Sequence, residues 1–271
     1  MFRRARSASL AWTLLLCAGP VCAQAGVQVG EASSLRNMIP AEQIEQQSTK
    51  QYRQLLAEAR QKHALAPADN AQLKRLRAIA ARLMPQAQRF NPRAADWHWE
   101  VNLIGSKQIN AFCMPGGKIA FYTGILNSLK LSDDEIAMVM GHEMAHALRE
   151  HAREQAAKNT LLGGAANILG MIASGSRYGD LANIAISAGQ GLAARAFSRE
   201  DESEADLVGM ELAARGGYDP RAGISLWQKM GKASKGAPPA WLSTHPSNAS
   251  RIEEIRRHLP EVMPLYEQAR S

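Results

Sequence analysis

The segment Gly141-His142-Glu143-Met144-Ala145-His146 sets two histidines four residues apart, with a glutamate directly after the first. On a helix, positions i and i+4 share one face about one turn apart, so both imidazoles can grip a single metal ion. Glu143 then falls beside the open metal position, where a water would sit. The chemistry this spacing serves is metal-assisted hydrolysis. A bound zinc lowers the water's pKa to about 7 and polarises the scissile carbonyl. Glu143 takes the water's proton and hands it to the leaving amine. No Ser or Cys nucleophile is needed, and Cys113 reads as a buried strand residue.

The element that must present these histidines is a helix. Ser132 and Glu135 form an S-x-x-E capping box, which places its start at Asp133. Ile136, Val139, Met140, Met144, Ala147 and Leu148 then repeat at helical spacing. Two histidines do not complete a catalytic zinc site, which takes three protein ligands and a water. The run Arg199-Glu200-Asp201-Glu202-Ser203-Glu204-Ala205-Asp206 offers the best third donor, Glu202. Glu202 and Asp206 share a helix face, so one can bind metal while the other holds a histidine N–H. On residue types alone, a solvated acidic helix face explains the run equally well.

Around this centre the pattern is mostly helical. Residues 40–65 read as a polar helix with Tyr52, Leu55 and Leu56 on one side, an arm lying on the main body or on a partner. Residues 71–84 repeat Leu73, Leu76, Ile79, Leu83 and Met84 at helical spacing. From Trp97 the period changes to two: Trp97, Trp99, Val101 and Leu103 face one way, His98, Glu100 and Asn102 the other. His98 is thus a solvent-side strand residue. Two more strands, 110–114 and 118–122, flank the turn Pro115-Gly116-Gly117. Thr123-Gly124 opens a short helix. A helix over 198–214 stops at Gly216-Gly217, and Asp219-Pro220 caps another that carries Leu226, Trp227 and Met230. A flexible loop follows over 232–239. After Trp241 and His245-Pro246, a last helix runs to about Leu259 and stops at Pro260. The fold class is α+β, predominantly helical, with a small antiparallel sheet beside the motif helix.

The first residues bear on location. Arg3, Arg4 and Arg6, a short apolar run from Leu10 to Ala18, and Ala23 and Ala25 compose a signal peptide over 1–25, cut after Ala23 or Ala25. Leu16 before Cys17 and Val21 before Cys22 are too large for a lipoprotein cleavage site. Removing the leader leaves 29 basic against 25 acidic residues, a mild excess that excludes a nucleic-acid binder by composition. It also leaves Cys113 alone, so no disulfide can form within one chain. Residues 159–176 are uncharged and 181–196 nearly so. The pair reads as a helical hairpin of small residues, with a lid over the cleft or a peripheral membrane contact as its sharper roles.

Four blocks together resemble the zinc metallopeptidase family of HtpX and the CAAX prenyl proteases: Asn110-Ala-Phe-Cys-Met-Pro-Gly-Gly-Lys-Ile; Gly141 to Ala147; Ser198 to Asp206; and Gly217-Tyr-Asp-Pro220. The resemblance runs from about Trp97 to the final helix and is nearest the family's soluble periplasmic branch. It implies a zincin-type domain over 71–271, preceded by the helical arm over 26–70, with one zinc ion per chain. It assigns Glu202 to the metal beside His142 and His146, with Asp206 behind. The first block resembles the family's strand beside the cleft, whose free edge can pair with an extended substrate. His245-Pro246 resembles a late element near the metal, so His245 stabilises the oxyanion, fills the fourth zinc position at rest, or is a surface histidine before a helix. The implied substrates are unfolded or misassembled envelope proteins, with the outer-membrane assembly machinery as a partner. The rival function is an assembly chaperone with a latent protease site. A structural zinc protein is disfavoured, since a closed site has no use for Glu143.

Overall fold

The computed structural model describes residues 26–163, 197–234, 239–245 and 249–271. The leader, most of the uncharged stretch, residues 235–238 of the expected loop and Pro246 lie outside the described residues. After a 3-10 turn at Ser34–Met38 come α1 (Ala41–Gln61) and α2 (Ala71–Leu83). Two more such turns lead to β1 (Glu100–Ile104), β2 (Ala111–Met114) and β3 (Lys118–Tyr122). Then follow α3 (Thr123–Leu129), α4 (Asp133–Leu148), α5 (His151–Gly163), α6 (Arg199–Arg215), α7 (Ala222–Ala233), α8 (Ala240–Thr244) and α9 (Ala249–Arg270). Among the described residues, no helix is long and apolar enough to cross a membrane.

The motif helix α4 begins as its cap predicts. Ser132 Oγ accepts from the Glu135 amide, and the Glu135 carboxylate accepts from the Ser132 amide. Such a cap is worth about 1 kcal/mol. From Glu135 to Leu148 every residue of α4 is buried, so this is the central helix of the domain. Its main neighbour is α6. The two helices touch backbone to backbone. A Cβ on Gly141 would lie 2.6 Å from the Gly209 carbonyl oxygen, and one on Gly209 would lie 2.6 Å from the His142 nitrogen. Only glycine permits that approach.

The sheet departs from the expectation of a purely antiparallel one. Its order is β1-β3-β2; β2 pairs antiparallel with β3, but β1 pairs parallel with β3. Alternation marks faces and carries no strand direction, so the sequence pattern was silent here. The β2–β3 hairpin turns through Gly116 and Gly117 at φ +83° and +75°, and inserts β3 at the centre. All five β3 residues are buried. Ile119 and Phe121 face the main core with α2 and α4, whereas Ala120 and Tyr122 join Tyr52, Leu55 and Ala59 of α1. The fully buried Tyr52 hydroxyl donates to the Ile119 carbonyl. The polar α1 is thereby seated on the sheet face opposite α4.

The last helix also differs from expectation. It continues through Pro260 and Pro264 to Arg270. Each interior proline forfeits a hydrogen bond and costs about 3 kcal/mol. Val262 and Leu265 are buried beyond the first proline, and packing a side chain of that size offsets about 1.5–3 kcal/mol each. Tertiary packing overrides the local stop signal.

Candidate active site

Three elements bring four donors to one point. α4 supplies His142 and His146, α6 supplies Glu202, and His245 follows the last turn of α8. Each is no more than 4% exposed. His142 Nε2 lies 3.1 Å from His146 Nε2 and 3.2 Å from His245 Nδ1. Glu202 Oε1 lies 2.9 Å from His245 Nδ1 and 3.4 Å from His146 Nε2. A tetrahedral ion with bonds of about 2.0 Å has donor–donor edges of about 3.3 Å, so these four edges fit one zinc-sized ion. The nitrogen and oxygen donors also suit zinc chemically. Converging nitrogen lone pairs repel unless a proton or a cation stands between them.

The carboxylates behind the donors are held by one arginine. Asp206 Oδ1 lies 3.0 Å from His142 Nδ1, the nitrogen facing away from the cluster. Arg251 of α9, 1% exposed, donates to both Asp206 oxygens at 2.6 and 2.7 Å, and to Glu202 Oε2. Its guanidinium stacks on Trp227 at 3.8 Å. Burial pushes the Asp206 carboxyl up, but the Arg251 charge and the His142 bond outweigh it, and the net pKa is lowered. Glu202 follows the same logic: burial raises it, His245 and His146 more than compensate, and it stays ionised. Burial lowers the His146 pKa well below the usual histidine value, which favours the neutral form a metal needs. Burial likewise lowers His245, yet the nearby Glu143 and Glu202 charges reverse this and raise it.

Glu143 lies beside the cluster. Its Oε1 accepts from Trp241 Nε1 at 2.5 Å and stands 3.5 Å from His245 Nε2. The short helix α8 therefore touches both the glutamate and the fourth donor. Its first turn is tied to the strand region, where the Trp241 amide donates to the Ile109 carbonyl just ahead of β2. Phe197 stacks on His146 with ring centroids 4.0 Å apart.

The residues singled out from sequence converge: His142, Glu143, His146, Glu202, Asp206 and His245 share this buried site. His98 is exposed before β1, and Cys113 is buried in β2, where burial pushes its thiol well up. Glu200 is exposed, and Glu204 bonds to His151 and Arg149 instead of the cluster. Sequence reasoning missed Arg251, Trp241 and His151. Only His151 had a local cue, its position five residues past His146.

A buried HExxH helix, a carboxylate donor from a second helix and a supporting sheet define a metallopeptidase of the zincin type. The chain belongs to peptidase family M48, whose model matches residues 70–259. Mitochondrial metalloendopeptidase OMA1 of Arabidopsis thaliana is 37% identical over 175 residues, covering 64% of this chain and 34% of that protein. Metalloprotease LoiP of Escherichia coli is 28% identical over 196 residues, covering 72% of this chain and 73% of LoiP. The beta-barrel assembly-enhancing protease of Yersinia pestis is 29% identical over 171 residues, covering 60% and 35%. The chain thus spans about a third of the length of the OMA1 relative.

Proposed function

We propose that this protein is a zinc-dependent endopeptidase of the bacterial periplasm that degrades misfolded or misassembled envelope proteins. The observation that carries the peptidase reading is the four-donor cluster with Glu143 against it. In this reading His142, His146 and Glu202 hold the zinc, and Asp206 orients His142. When bound, zinc supplies an acidified water and a Lewis acid for the scissile carbonyl. Glu143, oriented by the Trp241 N–H, would serve as the base. Segment 26–70 is an arm packed on the metallopeptidase domain over 71–271.

Location and substrate rest on the leader-like residues 1–25 and on the names of LoiP and the beta-barrel assembly-enhancing protease. The mitochondrial relatives share the domain and leave the compartment to be tested. β2 is an edge strand packed against α4, which suits an extended, unfolded substrate added as a further strand. His245 occupies the fourth corner of the donor set, and catalytic sites keep that corner open. We read this as a resting arrangement in which His245 displaces the water. That geometry also favours the rival reading, an assembly factor for outer-membrane proteins with a latent site.

Glu143→Gln separates these readings. The amide is nearly isosteric and cannot accept a proton, so the variant should keep one zinc per chain and lose casein cleavage. Hydrolysis at the wild-type rate by the zinc-loaded variant rules out Glu143 as the base. Absence of cleavage by zinc-loaded wild type on unfolded outer-membrane proteins selects the assembly-factor reading. N-terminal sequencing of fractionated protein tests the periplasmic assignment, with a start at Gln24 or Gly26 expected.

A further inference from the structure

We propose that His151 is a positioning residue for His146, relaying the hold of Glu204 on α6 to the second histidine of the metal site. The inference rests on reading His146 as a metal ligand. The outer nitrogen of His142, Nδ1, is held directly by Asp206, whereas among the described residues the outer nitrogen of His146 meets no carboxylate. Its Nδ1 lies 2.9 Å from His151 Nδ1. The other His151 nitrogen, Nε2, lies 2.8 Å from Glu204 Oε2. Arg149 holds the second Glu204 oxygen at 2.7 Å.

Proton counting gives this chain one arrangement. His146 Nε2 faces the donor cluster, so its lone pair must be free and its proton must sit on Nδ1. A contact between two ring nitrogens holds one proton, so His151 Nδ1 is the acceptor. A neutral His151 then carries its proton on Nε2 and donates it to the Glu204 carboxylate. Both ring nitrogens of His151 are then paired, and the polarity fixes the His146 tautomer that presents Nε2. The hold on a metal histidine by a carboxylate normally needs no intermediary. Here it does, because Glu204 is two residues from Glu202, about 200° around α6, and reaches the site only from outside.

The backbone between α4 and α5 is shaped to this end. In a continuous helix His146 and His151 would point about 140° apart. Glu150 instead adopts φ +60°, a left-handed conformation that is uncommon outside glycine. That break swings His151 back onto His146, with ring centroids 5.0 Å apart and planes at 76°. Arg153 clamps the Glu150 carboxylate at 2.9 and 3.0 Å, and Arg36 approaches it at 3.3 Å. His151 is 3% exposed. An unfavourable backbone angle, held by two arginines beside a functional site, indicates a position retained for its side chain.

The test compares His151→Phe, His151→Asn, Glu204→Gln and His146→Ala by chelator competition for zinc, with thermal unfolding of each metal-free form. Phe keeps a ring and removes both nitrogens. Asn places an amide oxygen near the Nδ1 position, still able to accept from His146. His151→Phe should weaken zinc binding by roughly 10–100-fold, as loss of a supporting bond does. His151→Asn should recover only the share supplied by the direct bond to His146, and Glu204→Gln, which keeps that bond, should lose only the share relayed from the carboxylate. In zinc-loaded wild type, nitrogen NMR should show the His146 proton on Nδ1. Wild-type zinc affinity in His151→Phe, alongside lost affinity in His146→Ala, overturns the relay and leaves the ligand reading intact. Retained affinity in His146→Ala overturns both. If His151→Phe fails to fold, Glu204→Gln decides: weakened zinc binding supports the relay, and wild-type affinity refutes it.

Discussion

Replacing Arg251 with methionine removes the cation that bridges Glu202 and Asp206 of α6. The side chain is 1% exposed, donates three hydrogen bonds to Asp206 and Glu202, and lies on the Trp227 face. Methionine keeps much of the apolar contact with Trp227 and none of the charge. Breaking a buried pair by removing one partner costs about 3–5 kcal/mol, chiefly because the remaining charge is stranded. Two carboxylates are stranded here, so the upper part of that range applies. For a domain of this size each kcal/mol shifts Tm by roughly 2–4 °C. The metal-free variant should therefore unfold about 8–20 °C below wild type. Zinc supplies Glu202 with a second cation, so the deficit should shrink to less than half that size in the loaded protein. The assay is thermal unfolding of chelator-treated and zinc-reconstituted samples at matched concentrations. A metal-free shift below about 2 °C would refute the reasoning, as would equal shifts in the two states.

Three further outcomes are expected. His245→Ala should bind zinc and cleave casein faster than wild type; a fall of about 10²–10³ in kcat would instead make His245 an oxyanion donor. Glu202→Ala should lose zinc and activity together, and wild-type zinc retention in the chelator assay would exclude it as the third ligand. Asp206 has a depressed folded pKa, so its contribution is complete above the unfolded value of about 3.9 and is lost as pH falls through the lower folded value. The metal-free Tm gap between wild type and Asp206→Asn should be wide at pH 7 and narrow as pH falls below about 3.9 toward the lowered folded value, and a gap independent of pH would contradict the ionised pairing with Arg251.

What sequence could reveal depended on distance along the chain. The α4 cap, the i,i+4 histidines and the Glu202–Asp206 pair are local patterns, and each appears where local rules put it. Strand faces were equally readable, but the direction of β1 was not, because period two is the same in either direction. Arg251, Trp241 and His151 contact partners on other elements, and an arginine in a helix or a tryptophan before a histidine carries no sign of what it will face. The prolines of α9 misled for the related reason that a local penalty was weighed without the burial of Val262 and Leu265. The resemblance of the four blocks drew Glu202 and His245 to the metal, where residue types alone left each with a surface reading.

The Gly141–Gly209 contact has a consequence for how this site can change over time. The donors are split between α4 and α6, and at the crossing the two helices are spaced by main chain alone, one residue from His142. Any larger residue at either position would wedge the helices apart and lengthen the reach from Glu202 and Asp206 to the histidines together. The outer faces of both helices can drift and the cleft can be refitted to new substrates. The metal geometry stays insulated from those changes as long as two hydrogen atoms are all that stand at the crossing.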